Sequence, residues 1–297
     1  MGQEKNIYAF CNQKGGVGKT TTVINFGTGL SQLGFKVLII DLDPQGNATS
    51  GFGIEKNHVE STIYDVLSED MDMREVIISD VVPRVDLIAA NAHLAGAEIE
   101  LIGLERREYY LRERVRKQAD AYDFIFIDCP PSLGLLTLNA LVASDRMIIP
   151  LQCEYYALEG LGQLLDTYNL IKNRLNNELE LHGVVMTMAD FRTNLTEQVI
   201  SEVNEFFKEK VFTTIIPRSV KLSEAPGFGK PAVLYAPSSR GVYQYQLLVE
   251  EFLDRQSIPY NYQFAEDGDE SQTYPHEQRM RNDDGNKEKT EIEEEHV

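Results

Sequence analysis

A glycine-rich segment near the beginning of the chain carries the side chains best suited to binding phosphate. It reads Lys14-Gly15-Gly16-Val17-Gly18-Lys19-Thr20, and Thr21 follows it. Glycines let the backbone curl so that its N–H groups face an anion, and a helix that begins near Lys19 would direct its positive end to the same place. Lys19 could reach the β- and γ-phosphates of a nucleotide, and the Thr20 hydroxyl could bind Mg²⁺. These residues predict a site for ATP and magnesium.

The segment departs from the usual P-loop pattern, GxxxxGK(S/T), at its first position. Gln13 stands where that pattern has glycine, and Lys14 adds a second lysine beside it. An apolar run precedes the segment and a helical pattern follows it, which is the context that a phosphate-binding loop requires. We therefore keep the nucleotide-binding prediction and expect Lys14 to point away from the cradle of its own loop.

Carboxylates that follow two other apolar runs could complete a hydrolytic site. Asp41 and Asp43 follow the run 37–40, and alternation along an extended segment places them on the same side. One could order magnesium and its waters, and the other could orient the attacking water. Asp128 ends the run 124–127 and could bring a further carboxylate to the magnesium ion. Since ligands bind at the carboxyl ends of strands in open α/β sheets, we expect all three beside the loop.

The elements that must position these residues alternate between short apolar runs and helical patterns. Strands are predicted at 7–11, 37–40, 85–89, 124–127, 147–150, 184–188 and 212–216. Helices are predicted at 20–33, 96–119, 134–143, 157–175, 194–209 and 242–255. Such alternation is typical of an α/β domain with a doubly wound, mostly parallel sheet, here predicted for residues 1–260.

The last part of the chain, 261–297, has a different composition. Between residues 262 and 297 there are 12 acidic and four basic side chains, which give −8 of the chain's formal charge of −19. Large apolar residues are scarce there, so the segment would bury too little surface to offset its ordering entropy. We predict an acidic, disordered tail. The net charge argues against a wholesale coat of nucleic acid but leaves room for a local basic face.

Cysteine spacing and hydropathy limit the setting of the protein. Cys11, Cys129 and Cys153 are widely spaced within or beside apolar runs, which predicts buried thiols rather than a disulfide scaffold or a zinc module. The segment 1–5 is polar, and no apolar run approaches the roughly 20 residues that span a bilayer. We expect a cytoplasmic protein that does not enter the membrane.

The loop that begins at Lys14 resembles the signature of the deviant Walker A ATPases, the ParA/MinD group. Further stretches, within a resemblance that covers about residues 5–256, are similar to chromosomal ParA proteins of the Soj type. They read DPQGNAT at 43–49, CPPSLG at 129–134, CEYYALEG at 153–160 and LSEAP at 222–226. The resemblance implies a P-loop NTPase fold and slow hydrolysis of ATP, with magnesium as the metal.

The same resemblance implies roles for individual residues. Lys14 would reach across a homodimer to the nucleotide of the second copy, in the manner of an arginine finger. Asp43 would be required for hydrolysis, and with Lys14 and Lys19 it forms the predicted catalytic set. Asp41 would lie closer to the metal, with Thr20 and Asp128 as the other predicted metal residues. Pro217 would contact the base of ATP through its backbone.

The family implies that the chain separates DNA molecules at the expense of ATP. An ATP-bound sandwich dimer would bind DNA without sequence preference and so associate with the nucleoid. A ParB-type centromere-binding partner would stimulate hydrolysis and release it. Arg192 and Lys221 match the DNA contacts of the family, and further candidates lie nearby at Arg218, Lys230 and Arg240. Lys221 stands where close relatives use an arginine; it keeps the charge but loses the planar fork, which matters less for phosphate contact than for base reading.

Three other functions share the loop or part of it. A MinD-like, membrane-associated cell-division ATPase would need an amphipathic helix with a basic face, whereas residues 291–297 are acidic and an anionic membrane would repel them. A reductase of the nitrogenase iron-protein type uses interfacial cysteines, which Cys129 and Cys153 do not resemble. A scaffold without enzymatic activity would not need the lysines and carboxylates that are all present.

Overall fold

The strands of the computed structural model, which describes residues 6–155 and 161–260, lie in one seven-stranded sheet. In chain order, β1 to β7 are Ile7–Phe10, Val37–Asp41, Ile77–Val82, Val85–Ile88, Phe124–Asp128, Arg146–Gln152 and Glu180–Thr187. Their order across the sheet is β3-β4-β2-β5-β1-β6-β7, and neighbours are parallel except for β3 and β4. The predicted mostly parallel α/β sheet is confirmed.

Helices cover both faces of this sheet. Within the described residues, α1 to α11 in chain order are Lys19–Gln32, Asn47–Gly51, Ile63–Ser68, Leu94–Leu101, Tyr110–Val115, Leu135–Ala143, Leu161–Arg174, Asn194–Phe207, Val220–Glu224, Ala232–Tyr235 and Arg240–Arg255. Short 3-10 turns join some of them, at Met73–Val76, Arg107–Tyr109, Arg116–Ala121, Lys208–Lys210 and Ala225–Phe228.

The central strand β1 illustrates why its sequence is a continuous apolar run. Ile7 and Ala9 face the cluster formed with α3 to α8, whereas Tyr8 and Phe10 face the cluster formed with α1, α2 and α9 to α11. All four side chains are fully buried. A parallel strand that is covered on both faces needs apolar residues at every position. The carboxyl end of β1 is thereby fixed in the middle of the molecule, between β5 and β6.

The prediction of a strand at 212–216 is wrong, and β3 is not among the strands that the sequence predicted. The segment from Val211 to Pro217 follows the edge strand β7 through isolated bridges only. The backbone N–H groups of Thr213 and Thr214 donate to the carboxylate of Glu251 instead of to the sheet (2.7 and 2.8 Å). The half-exposed β3 pairs with β4 at the opposite edge and is antiparallel, so it carries no continuous apolar signal.

The long helix predicted at 96–119 is also wrong, because the chain breaks it into two short helices and two 3-10 turns. α4 ends at Leu101 and α5 begins at Tyr110, with Arg106 between them in the left-handed region at φ 55°. The predicted tail at 261–297, and the first residues of the helix predicted at 157–175, lie outside the described residues. Among the described residues, no helix is long and apolar enough to cross a membrane.

Candidate nucleotide site

The glycine-rich loop connects β1 to α1 and is tied to the ends of two neighbouring strands. The Asn12 side-chain amide donates to the carbonyl of Pro150 in β6 (2.8 Å), and its oxygen accepts from the backbone N–H of Lys14 (3.0 Å). From the other side, the Thr187 hydroxyl at the end of β7 donates to the carbonyl of Val17 (2.8 Å). The loop is therefore shaped by the sheet before any ligand binds.

Gly18 forms the junction between the loop and α1. Its φ of 86° lies in the left-handed region that favours glycine, and it is the N-cap of the helix without any side-chain cap. The first N–H groups of α1 are consequently available to an anion rather than to a side chain of the chain itself. This is the arrangement that the sequence predicted for phosphate binding.

The two lysines of the loop are held in different ways. Lys19 is 7% exposed, and its Nζ donates to the carbonyl of Lys14 (3.1 Å) across the loop. The side chain of Lys14 is 43% exposed and pairs with the carboxylate of Glu154, which follows β6. Lys19 is thus a buried cation at the base of the loop, whereas the partly exposed Lys14 pairs with Glu154 and does not line the cavity.

Asp128 and Asp41 are register partners at the carboxyl ends of β5 and β2, and both are fully buried. Burial raises the pKa of Asp128 well above its usual range, the neighbouring Asp41 adds to the rise, and the Thr20 hydroxyl and Lys19 oppose it. Among the described residues, neither carboxylate oxygen of Asp128 is held in a well-formed hydrogen bond, although the Thr20 hydroxyl lies close enough to favour its charged form. A buried carboxylate with so little hydrogen bonding, beside a threonine hydroxyl, fits a hard cation such as Mg²⁺.

Asp41 differs from Asp128 because its oxygens are engaged. Oδ2 accepts from the backbone N–H and from the hydroxyl of Thr49 (both 2.8 Å), and Oδ1 accepts from the backbone N–H of Asp43 (3.2 Å). Burial raises the pKa of Asp41 to about 6 although these hydrogen bonds lower it. Asp41 lies beside Asp128, in the region predicted for the metal, but its oxygens already accept hydrogen bonds from other residues of the protein.

A cavity of about 420 Å³ opens above the loop. Its lining includes seven of the residues predicted to bind the nucleotide or to catalyse hydrolysis, namely Gly15, Gly16, Gly18, Lys19, Thr20, Thr21 and Asp43. The predicted residues Lys14, Val17, Asp41, Asp128 and Pro217 do not line it. On that side of the loop, Met188 contributes to the wall instead of Pro217.

The opposite wall of the cavity was not assigned from the sequence. It consists of residues near and after α9, namely Leu222, Ala225, Pro226, Lys230, Pro231 and Ala232. Asn25 of α1 ties this wall to the loop helix, since its amide donates to the carbonyl of Thr21 (2.8 Å) and accepts from the N–H of Val233 (3.1 Å). Part of this wall is the stretch LSEAP at 222–226, and its resemblance to ParA proteins was the signal in the sequence that could have indicated it.

Comparisons with known proteins agree with this geometry. A family model described as an AAA domain matches residues 5–181. The sporulation initiation inhibitor protein Soj of Bacillus subtilis is 55% identical over 245 residues, which cover 82% of this chain and 97% of that relative. The chromosome partitioning protein ParA of Myxococcus xanthus is 49% identical over 249 residues, which cover 84% and 88%. The chain belongs to the ParA/Soj family of partitioning ATPases.

A solved structure supports the same fold assignment. Cobyrinic acid a,c-diamide synthase from Mycobacterium smegmatis, with a bound ATP analogue and magnesium, has a TM-score of 0.75 and 34% identity, and the match covers 86% of this chain and 96% of that chain. The predicted P-loop NTPase fold, the ParA/Soj resemblance and the prediction of an ATPase are confirmed.

Two of the DNA-contact candidates of this ParA/Soj chain, Arg192 and Arg218, lie on neighbouring loops. A bridge between Ala189 and Pro217 joins the loop after β7 to the segment before α9, and the N–H of Arg218 donates to Ala189 (3.0 Å). Arg192 on the first loop is bound to Asp190 by two hydrogen bonds, from Nε and Nη2 (2.7 and 2.6 Å).

The remaining candidates are distributed more widely. Lys221 pairs with Glu224 of its own helix (3.0 Å). Arg218 and Arg240 are exposed, Arg240 as the first residue of α11. Lys230 is exposed as well but lines the nucleotide cavity, which the sequence did not predict. The structure brings Arg192 and Arg218 together and leaves Lys230 at the other site.

Proposed function

We propose that the chain is an ATP-dependent DNA-segregation ATPase that cycles between two states. ATP and Mg²⁺ are its cofactors. The ATP-bound homodimer binds DNA without sequence preference and stays with the nucleoid. A ParB-type partner stimulates hydrolysis and thereby releases the dimer from DNA. The observation that carries the proposal is the buried Asp128, whose oxygens make no well-formed hydrogen bond among the described residues, beside Lys19 and Thr20 in a chain that is 55% identical to Soj.

The nucleotide part of the cycle assigns each side chain a task. Lys19 and the N–H groups of α1 would hold the phosphates. Thr20 and Asp128 would hold the magnesium ion, which when bound supplies positive charge to the phosphoryl oxygens. Asp43, which is 7% exposed and lines the cavity, would orient the attacking water. Met188 and the wall around Pro226 would enclose the base.

The dimer part of the cycle rests on Lys14. Its half-exposed ammonium pairs with Glu154, outside its own nucleotide cavity. A lysine that leaves its own cavity and remains partly exposed is available to a second copy placed against this face. There it would add positive charge to the nucleotide of the other subunit, so that nucleotide state would control dimer state.

The DNA part of the cycle rests on the loops that carry Arg192 and Arg218. A few phosphate contacts per subunit give weak and salt-sensitive binding, and joining two subunits multiplies it. Dimerisation by ATP would thus convert a weak basic face into a useful one. The chain's negative net charge does not oppose this arrangement, because the loops are local and exposed.

The experiment that tests the proposal compares two surfaces under three nucleotide conditions. Retention of the wild-type chain on duplex DNA of arbitrary sequence, and on anionic lipid vesicles, is measured with ATP and Mg²⁺, with ADP and Mg²⁺, and without nucleotide. We expect retention on DNA with ATP alone and none on vesicles. Binding to vesicles alone would support the MinD-like alternative, and DNA binding that ignores nucleotide would contradict the proposed cycle.

The variant Asp43→Ala sharpens this test. It removes the carboxylate proposed to orient water but leaves the phosphate-binding loop intact, so the ATP-bound dimer should accumulate. We expect longer retention on DNA and a dimer in size-exclusion chromatography with ATP. Asp120→Ala, which removes an exposed carboxylate distant from the loop in sequence, serves as the control. A monomeric Asp43→Ala chain with ATP bound would contradict the sandwich dimer.

A further inference from the structure

Thr49 in α2 is fully buried and its hydroxyl is used twice. The hydroxyl donates to Oδ2 of Asp41 (2.8 Å) and accepts from the backbone N–H of Ala90 (2.9 Å), which follows β4. A hydroxyl has one hydrogen to donate, so the direction of the first bond is set once the Ala90 N–H donates the second. The side chain therefore connects the ends of two neighbouring strands, β2 and β4.

Asp41 also acts as a cap for α2. The N-cap residue of this helix is Gly46, which has no side chain to accept from the helix. The carboxylate of Asp41 takes that place from a distance, because its Oδ2 accepts from the N–H of Thr49 at the third helical position (2.8 Å). One carboxylate oxygen thus receives both the backbone and the side-chain hydrogen of the same residue.

The other oxygen of Asp41 leads to the predicted catalytic residue. Oδ1 accepts from the backbone N–H of Asp43 (3.2 Å). Asp43 is fixed further by its own turn, since its carbonyl accepts from Gly46 (2.8 Å) and its Oδ1 accepts from Gln45 (2.9 Å). A continuous series of hydrogen bonds therefore runs from Ala90 through Thr49 and Asp41 to Asp43.

We propose that Thr49 is a positioning residue for ATP hydrolysis. It does not line the nucleotide cavity. It holds Asp41 in the one orientation in which that carboxylate fixes both α2 and the backbone of Asp43. This gives Asp41 the task of anchoring Asp43, which differs from the metal-binding task that the sequence suggested. The proposal rests on the role given to Asp43 above.

The expected effect is on turnover and not on nucleotide binding. Thr49→Val has nearly the same shape but lacks the hydroxyl, which leaves the Ala90 N–H without an acceptor and Asp41 with one donor fewer. Small displacements of a group that orients a reactant cost about tenfold to a hundredfold in rate, so we expect a loss of kcat in that range. The affinity for a non-hydrolysable ATP analogue should stay close to that of the wild type.

Matched variants separate positioning from general loss of packing. Thr49→Ser restores the hydroxyl and should recover most of the turnover. Thr28→Val removes a hydroxyl that is equally buried but donates only to the carbonyl of Ile24 in its own helix (2.8 Å), so its kcat should be unchanged. Single-turnover hydrolysis, titration with the analogue and thermal melting are measured on all three full-length variants.

Two results would overturn the inference. One is an unchanged kcat in Thr49→Val, and the other is an equal loss in Thr49→Val and Thr28→Val. If Thr49→Val does not fold, Thr49→Cys decides, because a thiol forms only weak hydrogen bonds. We expect the kcat of Thr49→Cys to be lower than those of Thr49→Ser and the wild type. A kcat equal to that of Thr49→Ser would overturn the inference. Absence of hydrolysis in the wild type would count against the proposed function instead.

Discussion

The nucleotide cavity and the loops that carry the DNA-contact candidates hold their charges in opposite ways. In the cavity region, Lys19 is 7% exposed and donates to a backbone carbonyl, and Asp128 is fully buried with no well-formed hydrogen bond from the part of the chain that the structure describes. On the loops, the side chain of Arg192 is 86% exposed and its guanidinium is already paired with Asp190. The cavity region buries charged groups that have few hydrogen bonds, whereas the loops pair their exposed charged groups with neighbouring residues.

This difference indicates what each region needs from its ligand. A buried charged group with few hydrogen bonds is costly in the free protein, so a ligand that satisfies it is bound strongly and specifically. An exposed ion pair contributes little free energy and is screened by salt. A DNA phosphate that takes the place of Asp190 therefore gains little free energy at each contact. The cavity of a single subunit should therefore discriminate between nucleotides, whereas DNA binding by the loops should need two subunits and low salt.

The largest expected effect is the loss of ATP binding in Lys19→Ala. The substitution removes a buried cation from the base of the phosphate-binding loop. Hydrogen bonds to charged groups contribute about 1.5–3 kcal/mol each, so the dissociation constant for ATP should rise by about a hundredfold. Titration with a fluorescent ATP analogue measures this directly, and the chain has no tryptophan to interfere.

Lys172→Ala is the matched control for that substitution. Its Nζ also donates to a backbone carbonyl, that of Leu179 (2.8 Å), but it belongs to α7 and does not line the cavity. We expect its ATP affinity to equal that of the wild type. If Lys19→Ala bound ATP as tightly as Lys172→Ala, the assignment of the loop as the phosphate site would be wrong.

The candidate site around the loop could be predicted largely from the sequence because its residues lie in short continuous motifs. The loop from Lys14 to Thr20 is continuous, and Asp41 and Asp128 each end a buried parallel strand whose apolar run is visible without a structure. The carboxyl ends of such strands meet at one edge of the sheet, so their assembly needed no further information. The family resemblance supplied the roles of Lys14 and Asp43.

The parts that the sequence did not predict depend on contacts between distant segments. The wall around Pro226 reaches the loop helix through Asn25, which is about 200 residues earlier in the chain, and no local pattern marks such a contact. The segment at 212–216 has the composition of a strand, yet the N–H groups of Thr213 and Thr214 donate to Glu251 of α11, and only Phe212 and Ile216 donate to β7. In both places tertiary contacts override local preference.

An intermediate effect, on stability, is expected where the wall of the cavity around Pro226 meets the segment after α2. Gly229 lies in the left-handed region at φ 61°, and a Cβ added there would lie 2.6 Å from the Cα of Gly53. Gly229→Ala should therefore destabilise the fold by about 1–3 kcal/mol, since both backbone strain and a clash oppose it. Thermal or denaturant unfolding of the full-length chain measures the change.

Gly103→Ala is the control for this position. A Cβ added at Gly103 meets no atom within 4 Å and its φ is not in the left-handed region, so its stability should stay close to that of the wild type. Equal unfolding midpoints for the two variants would mean that the wall and the segment after α2 do not touch as closely as the structure has them. A lower midpoint for Gly229→Ala alone would support their contact.

The smallest expected effect belongs to Arg192 and is read as a salt dependence. Arg192→Ala should weaken ATP-dependent DNA binding several-fold and reduce the slope of log affinity against log salt by about 0.9 per subunit, since one phosphate contact is lost. Arg74→Ala is a close control. Arg74 forms the same bidentate pair with a residue two positions earlier, Asp72, but it precedes the edge strand β3. Its DNA affinity should not change.

The substitution Asp190→Asn tests the same pair with the opposite sign. The Arg192 guanidinium holds the pKa of Asp190 at about 2, so this carboxylate is ionised at any working pH and competes with DNA phosphate for Arg192. Its replacement should tighten DNA binding, while the backbone carbonyl of Asp190 still accepts from Thr193 and Thr196 and keeps the loop in place. Weaker binding by Asp190→Asn would mean that the pair orders Arg192 for DNA rather than withholding it. The loops would then be prearranged like the cavity, and the contrast between the two regions would fail.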